Sequence, residues 1–433
     1  MKKLFVSHRL SVVSRQSLVV SFLVLLLTTC YLSLNAQDVK RGRSVVDTLA
    51  SPFFSGRGYV NSGDSLAAEF LAKEFQHVGL KPFADSYFQK FEMSVNTFPS
   101  EMLVKVNGKP LQAGRDYILD PASVGTKGLF RLLPLDSQVF VNPNFIFPSK
   151  KRKTALYYPA EWEKRISKLP LEVQKQLQEF SVLVRIVPKK LTFSVARQVD
   201  KQCTIEILAD KFPTKIKKIR LNIENKFIHK HLARNVIGIL EGSKKDSFLL
   251  ITAHYDHLGR MGRETYFPGA NDNASGIAML LELARFYSLP ENRLPYSLMF
   301  VGFAAEEAGL VGSKFYVNNP LFPLAKIKFM LNLDLMGSGK EGVTVVNGAV
   351  FNKEFQLLDS LNKANNWLPL VKPRGKAANS DHYFFSEKGV PAFFMYTNGE
   401  ITAYHDVDDT PSVVTFSKFK EVFALITAFF KGI

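Results

Sequence analysis

Phe303-Ala304-Ala305-Glu306-Glu307-Ala308-Gly309-Leu310-Val311-Gly312-Ser313 sets two adjacent carboxylates between an apolar strand and a small-residue turn into a helix. Neighbouring side chains on extended backbone point in opposite directions, so Glu306 and Glu307 cannot do the same work. One can bind a metal while the other handles a proton. An acidic pair at a strand end can equally be solvated, so the surrounding sequence has to decide.

Upstream, Ser247 to Ala253 is a short apolar run that reads as a buried strand and delivers His254-Tyr255-Asp256-His257 at its carboxyl end. The turn-rich stretch Pro268-Gly269-Ala270-Asn271-Asp272-Asn273-Ala274-Ser275-Gly276 follows and runs into a helical pattern from Ile277 to Tyr287, which puts Asp272 at a loop-to-helix junction. A strand from Ile327 to Leu333 ends in Asp334, and after a strand from Val390 to Tyr396 the loop Tyr404-His405-Asp406 adds an imidazole. This order predicts an α/β fold, a mixed central β-sheet flanked by helices, in which sequence-distant residues converge at the carboxyl ends of the strands. Imidazole and carboxylate without thiolate suit zinc. The candidates His254, Asp272, Glu307, Asp334 and His405 outnumber the three protein ligands of a single catalytic zinc, which favours two ions sharing one carboxylate.

Five segments carry a resemblance: His254-x-Asp256, Gly269 to Gly276, Ala305-Glu306-Glu307-x-Gly309-Leu310-x-Gly312-Ser313, Asn332-Leu333-Asp334 and Tyr404-His405. Their order and spacing resemble the co-catalytic dizinc aminopeptidases, the group of secreted bacterial leucyl aminopeptidases, over about residues 235–433 with a weaker echo at 49–91. The resemblance implies two Zn2+ per chain. His254 and Asp334 would hold one ion, Glu307 and His405 the other, and Asp272 would bridge them. It makes Glu306 the general base that takes a proton from a metal-bridging water, Asp256 the carboxylate that orients His254, and Tyr404 the phenol that helps polarise the scissile carbonyl. The implied activity is hydrolysis of amino-terminal residues from peptides.

Other readings stay open. A dipeptidase or carboxypeptidase-type relative is the nearer one. Glutaminyl cyclases of the same family keep one zinc, with a longer insertion after the paired glutamates and a Trp before the final His, where this chain has Tyr404. A non-catalytic binding module on the same fold usually loses ligands, and none of the set is missing here. Among the other histidines, His257 reads as a surface or pocket-rim residue, His382 as pocket wall or simple packing, and His77, His229 and His231 as solvated.

The 433 residues can bury a large core. Lys2, Lys3, Arg9 and Arg15 precede an apolar run from Leu18 to Leu34 and then Asn35-Ala36-Gln37, the pattern of a signal peptide cleaved after Ala36. The expected location is periplasmic or secreted, with no stable membrane insertion after cleavage; an uncleaved anchor and a lipidated Cys30 are the lesser alternatives. Cleavage leaves Cys203 alone, so no internal disulfide forms. The expected layout is a signal peptide (1–36), a discontinuous zinc peptidase domain (37–91 plus 233–433) and an inserted, mainly β basic domain or lid (92–232). Residues 149–234 hold 21 Lys and Arg against 8 Asp and Glu, while the net charge of the whole chain is +17. Such charge suits a solvated strand face, or attraction to anionic surfaces and acidic substrates. Nucleic acid is not an expected partner, because no aromatic-interleaved motif accompanies the basic residues. None of the candidate ligands lies in 92–232, so the insertion is expected to supply access and attraction and no part of the chemistry.

Overall fold

The computed structural model describes residues 38–142, 145–147, 153–213, 215 and 218–433. The signal-peptide residues and Lys150, Lys151 and Arg152 of the basic run lie outside these. Among the described residues no helix is long and apolar enough to cross a membrane.

The chain opens with α1 (Val39–Leu49) and α2 (Gly63–His77), lays down β1 (Lys81–Pro82) and β2 (Phe88–Thr97), and then builds a second sheet. That sheet holds β3 (Leu103–Val106), β4 (Lys109–Pro110), β5 (Tyr117–Leu119), β6 (Thr126–Pro134), β7 (Thr154–Pro159), β8 (Val182–Val187), β9 (Cys203–Leu208) and β10 (Lys218–Ile223). Between β7 and β8 the chain forms two short helices, α3 (Glu163–Ile166) and α4 (Leu171–Gln178). Pro170 lies at the break, where its ring disfavours helix in the residue before it.

β11 (Lys226–Leu240) returns the chain to the first sheet, followed by β12 (Lys244–His254), the small hairpin β13 (Arg260–Met261) and β14 (Thr265–Tyr266), α5 (Gly276–Ser288) and β15 (Tyr296–Phe303). α6 (Val311–Asn318), β16 (Ile327–Asp334), β17 (Gly342–Val346), α7 (Asn352–Asn365), β18 (Val371–Arg374), α8 (His382–Glu387), β19 (Ala392–Asn398) and α9 (Phe419–Gly432) complete it. The strand order is β1-β11-β15-β12-β16-β19-β17-β18, with β2 also on β11. β12 runs parallel to both β15 and β16, and β16 parallel to β19, so four neighbouring strands end on the same side. Their register sets His254 beside Phe303 and Asp334 beside Tyr396.

The continuous apolar runs in β12, β15 and β16 follow from burial on both faces. Leu249, Ile251 and Ala253 join one core with α1, α2, α5 and α9, while Phe248 and Leu250 join another with Tyr316 and Val317 of α6 and Phe385 of α8. The second sheet likewise has two cores. One covers α4 through Val173 and Leu177; the other takes in Leu258, Met261 and Phe267 from the loops that carry the first sheet's acidic residues. The last helix begins at Phe419, well after the Thr410-Pro411 pair that could open a helix. The N–H groups of Thr415, Phe416 and Lys418 are committed to the carbonyls of Gly337 and Ser338, and only Pro411–Val413 makes a short 3-10 turn.

Candidate metal centre

His254 ends β12, Asp334 ends β16, and Glu306 and Glu307 follow β15, so three parallel strands deliver their polar residues to one edge. Ala305, with φ +56°, turns the chain there, and Gly312 has no room for a Cβ, which would meet the Ala304 carbonyl at 2.2 Å. Asp272 comes from the loop before α5. That loop starts at Gly269, whose φ is +60° and where a Cβ would lie 2.4 Å from the His257 ring.

Asp272 faces both imidazoles. Its Oδ1 lies 3.4 Å from His254 Nε2, and its Oδ2 lies 3.2 Å from His405 Nε2. Asp334 Oδ2 is 3.5 Å from His254 Nε2, and Glu307 Oε2 is 3.1 Å from His405 Nε2. Two groups with the spacing of metal ligands result: His254 with Asp272 and Asp334, and Glu307 with Asp272 and a histidine, His405 or His257. In both proposed imidazole ligands the far nitrogen meets a backbone carbonyl, His254 Nδ1 at Asp256 O (3.2 Å) and His405 Nδ1 at Phe193 O (3.1 Å). A carbonyl only accepts, so Nδ1 carries a proton in each ring, and loss of the Nε2 proton that faces the carboxylates would leave Nε2 free to bind a metal.

The donor set fits a divalent cation. Asp334 Oδ1 is buried with no hydrogen-bond partner. Burial, with Glu307, Asp381 and Asp334 nearby, raises Glu306 well above the ordinary carboxylate range against the pull of His254. Burial pushes Asp334 up to about 6 and Asp256 up to about 7. For Glu307 burial is outweighed by His405 and His257, which hold it down at about 2. Burial disfavours charge on His405, but Glu307 and Asp272 raise it to about 11. Glu306, Asp334 and Asp256 are thus short of positive charge, which a cation beside them would supply, while Glu307 and Asp272 draw theirs from the neighbouring imidazoles.

Asp256 does not occupy the place expected of it. Its carboxylate accepts the backbone N–H of Glu306 (3.0 Å) and of Glu307 (3.3 Å), and only its main-chain carbonyl meets His254. The left-handed turn at Ala305 aims those two N–H groups at Asp256, so the side chain holds the glutamate pair in place. Tyr404 stands at the edge, 44% exposed, with its ring stacked on His405 at 4.0 Å.

Two histidines differ from expectation. His257 is fully buried, and its Nδ1 lies 2.7 Å from Glu307 Oε1. Three residues beyond a ligand strand end is loop in sequence, and only the fold turns it under Glu307. His231 is no solvated group either: its Nε2 lies 2.6 Å from the buried Asp64. His77 and His229 are exposed as expected, and His382 is buried against Phe394.

Arg57, Asp409 and Phe193 are essential to the geometry and were not singled out by sequence. Arg57 is wholly buried and donates to the carbonyls of Leu49, Tyr255, Pro268, Gly269 and Asp272 at 2.7–3.2 Å, which ties the Asp272 loop to the end of β12. Its place in Phe53-Phe54-Ser55-Gly56-Arg57-Gly58 was a signal for it, because Gly56 and Gly58 pack directly on Gly259. Asp409 accepts the N–H of Asn271 (2.8 Å) and of Asp272 (3.0 Å). Phe193 carries the carbonyl that meets His405, so the inserted region does touch the site, contrary to expectation.

Residues 235–430 match the model of Peptidase family M28. Over these residues the chain is similar to that family. Aminopeptidase YwaD of Bacillus subtilis is 29% identical over 207 residues, 45% of this chain and 44% of that protein. Leupeptin-inactivating enzyme 1 of Streptomyces exfoliatus is 31% identical over 169 residues, 39% of this chain and 36% of that protein. The chain therefore spans less than half the length of these curated relatives. Among solved structures, a zinc aminopeptidase from Bacillus subtilis superposes with a TM-score of 0.68 at 19% identity, over 92% of this chain and 95% of that one. The aminopeptidase of Aneurinibacillus sp. strain AM-1 gives 0.62 at 18%, over 92% and 94%. At these identities the likeness is one of fold, and at this coverage it extends beyond residues 235–430 into the second sheet.

Proposed function

We propose that the chain is an exported M28 aminopeptidase that binds two zinc ions and removes amino-terminal residues from peptides. The observation that carries this reading is the pair of Asp272 oxygens, one turned to His254 and the other to His405. A carboxylate so placed suits a bridge between two ions, with His254 and Asp334 on one side and Glu307 and His405 on the other. The names of the relatives, among them an aminopeptidase and a zinc aminopeptidase, support the activity and the metal. Export rests on the basic and apolar pattern of residues 1–36.

Zinc at such a site supplies Lewis-acid polarisation of a carbonyl and makes water more acidic. Glu306 then acts as base. With cations at the site offsetting its acidic neighbours its carboxylate would be ionised, and could take a proton from the attacking water at a carboxylate oxygen and return it to the leaving amine. Asp256 holds the main chain of Glu306 in place for this, and His257 donates to Glu307 Oε1, so that Oε2 would be the oxygen available to a metal. Tyr404, on the exposed edge, would donate its phenol to the developing oxyanion.

The test is a zinc titration of dialysed protein joined to a panel of aminoacyl and dipeptidyl coumarin substrates. Two ions per chain and release from free amino-terminal residues are expected. One tightly held ion with full activity, or cleavage of amino-blocked substrates alone, would overturn the reading.

A further inference from the structure

β8 and β9 of the second sheet pair in parallel, so the chain between them has to cross from one end of the sheet to the other. Such crossovers are commonly helical, but residues 188–202 form neither helix nor strand. The segment leaves the second sheet and is fastened along the edge of the metal centre. Lys190 donates its Nζ to the Thr402 carbonyl at 2.9 Å and pairs with Asp406 at 2.9 Å. The Phe193 N–H donates to the His405 carbonyl at 2.9 Å, while the Phe193 carbonyl accepts from His405 Nδ1 at 3.1 Å. The Phe193 ring is buried and stacks on Phe267 at 4.7 Å, immediately before the Asp272 loop. Beyond it, the Ala196 carbonyl accepts from Asn96 N–H and the Arg197 carbonyl from the Ser94 hydroxyl, both on β2.

His405 needs such support. Its φ is +54°, a conformation costly for a residue with a Cβ, and its backbone is held there by Phe193 on one side with Lys190 bound to the residues around it. The ring is gripped between the Phe193 carbonyl and the Tyr404 ring. Nothing within residues 235–430 supplies the Nδ1 acceptor. His254, by contrast, finds its acceptor two residues away in its own strand end.

We propose that residues 188–202 are a positioning strap by which the inserted sheet sets the tautomer and direction of His405, so that zinc affinity on the Glu307 and His405 side depends on the insertion. The proposal rests on the two-zinc reading above. Phe193 is a positioning residue, since it touches the ligand and not the substrate. An outer partner of a metal-ligating histidine typically changes metal affinity roughly 10–100-fold, and here that partner is lent by a region with no ligand of its own.

The experiment is a Zn2+ titration against a chromophoric chelator on the full chain and four variants, with thermal melting of each metal-free protein. Phe193→Ala removes the stack on Phe267, Lys190→Ala frees the strap from the 402–406 loop, Lys190→Arg keeps the charge, and Lys175→Ala, in an exposed pair with Glu172 on α4, serves as control. Expected is a loss in one of the two binding steps only, several-fold for Phe193→Ala, which keeps the carbonyl but frees the strap that positions it, and several-fold for Lys190→Ala. Lys190→Arg should bind within about 2-fold of wild type and Lys175→Ala the same, because an exposed pair contributes little. Two unchanged steps in Lys190→Ala and Phe193→Ala overturn the strap alone, as do two steps weakened equally with a fall in metal-free melting temperature, which is general damage. A wild-type chain that takes up no zinc overturns the two-zinc reading and this proposal with it. If Phe193→Ala fails to fold, the surface variant Lys190→Ala still decides.

Discussion

The Asp256 carboxylate accepts the backbone N–H of Glu306 at 3.0 Å. It therefore acts on the glutamate pair through the main chain, and its effect on His254 passes through its own carbonyl, which a side-chain substitution leaves in place. Asp256→Asn sets an amide NH2 against a backbone donor. It should lower kcat roughly 10–100-fold, the usual range for an outer partner, while zinc content stays near wild type. Zinc lost from the protein with kcat per remaining site unchanged would return Asp256 to the role of orienting His254.

The two glutamates should separate cleanly. Glu306→Gln keeps the shape but cannot take a proton, so zinc content should hold while kcat falls at least about 10²-fold, as for loss of a general base. Glu307→Gln should instead lose metal. Metal analysis beside steady-state kinetics gives the answer, and the reverse pattern would exchange the two roles.

Arg57 donates to five carbonyls, and Arg57→Lys can make at most three bonds without the planar fork. Buried carbonyls left without a donor should cost about 3 kcal/mol or more, at about 1–3 kcal/mol for each unsatisfied group. Chemical denaturation of the metal-free protein measures this. A loss below 1 kcal/mol, on the order expected of a surface change, would show that Arg57 does not brace the Asp272 loop.

Asp409 gives a pH dependence of known sign. Burial, against the pull of two backbone N–H groups, raises its carboxyl from the ordinary value of 3.8 to about 7. A folded-state value above the unfolded one means that the folded form binds the proton more tightly. The stabilisation is thus fully present below about pH 4 and is lost as pH rises through about 7. Melting curves of metal-free wild type and Asp409→Asn between pH 4 and 8 should show the variant losing less stability over that window. Equal slopes would mean that Asp409 ionises in the fold as it does in water.

The ends of the strands, and the residues they carry, were legible from the order of residues alone. Continuous apolar runs mark β12 and β16 because those strands are buried on both faces, and the polar residue that stops each run, His254 or Asp334, has to lie at the sheet edge. The Glu306-Glu307 pair and the Gly269 and Gly312 turns were legible for the same reason, since backbone geometry at a strand end admits few residue types. Contacts that leave no local pattern came to light only in the folded chain. Arg57 reaches five carbonyls across 8 to 215 positions of chain, His405 finds its Nδ1 partner 212 residues away in Phe193, and His257 meets Glu307 at a separation of 50. Main-chain carbonyls and N–H groups are the same in every residue, so a partner chosen among them cannot be read from side-chain identity. It is fixed by where the packed sheets bring the backbone.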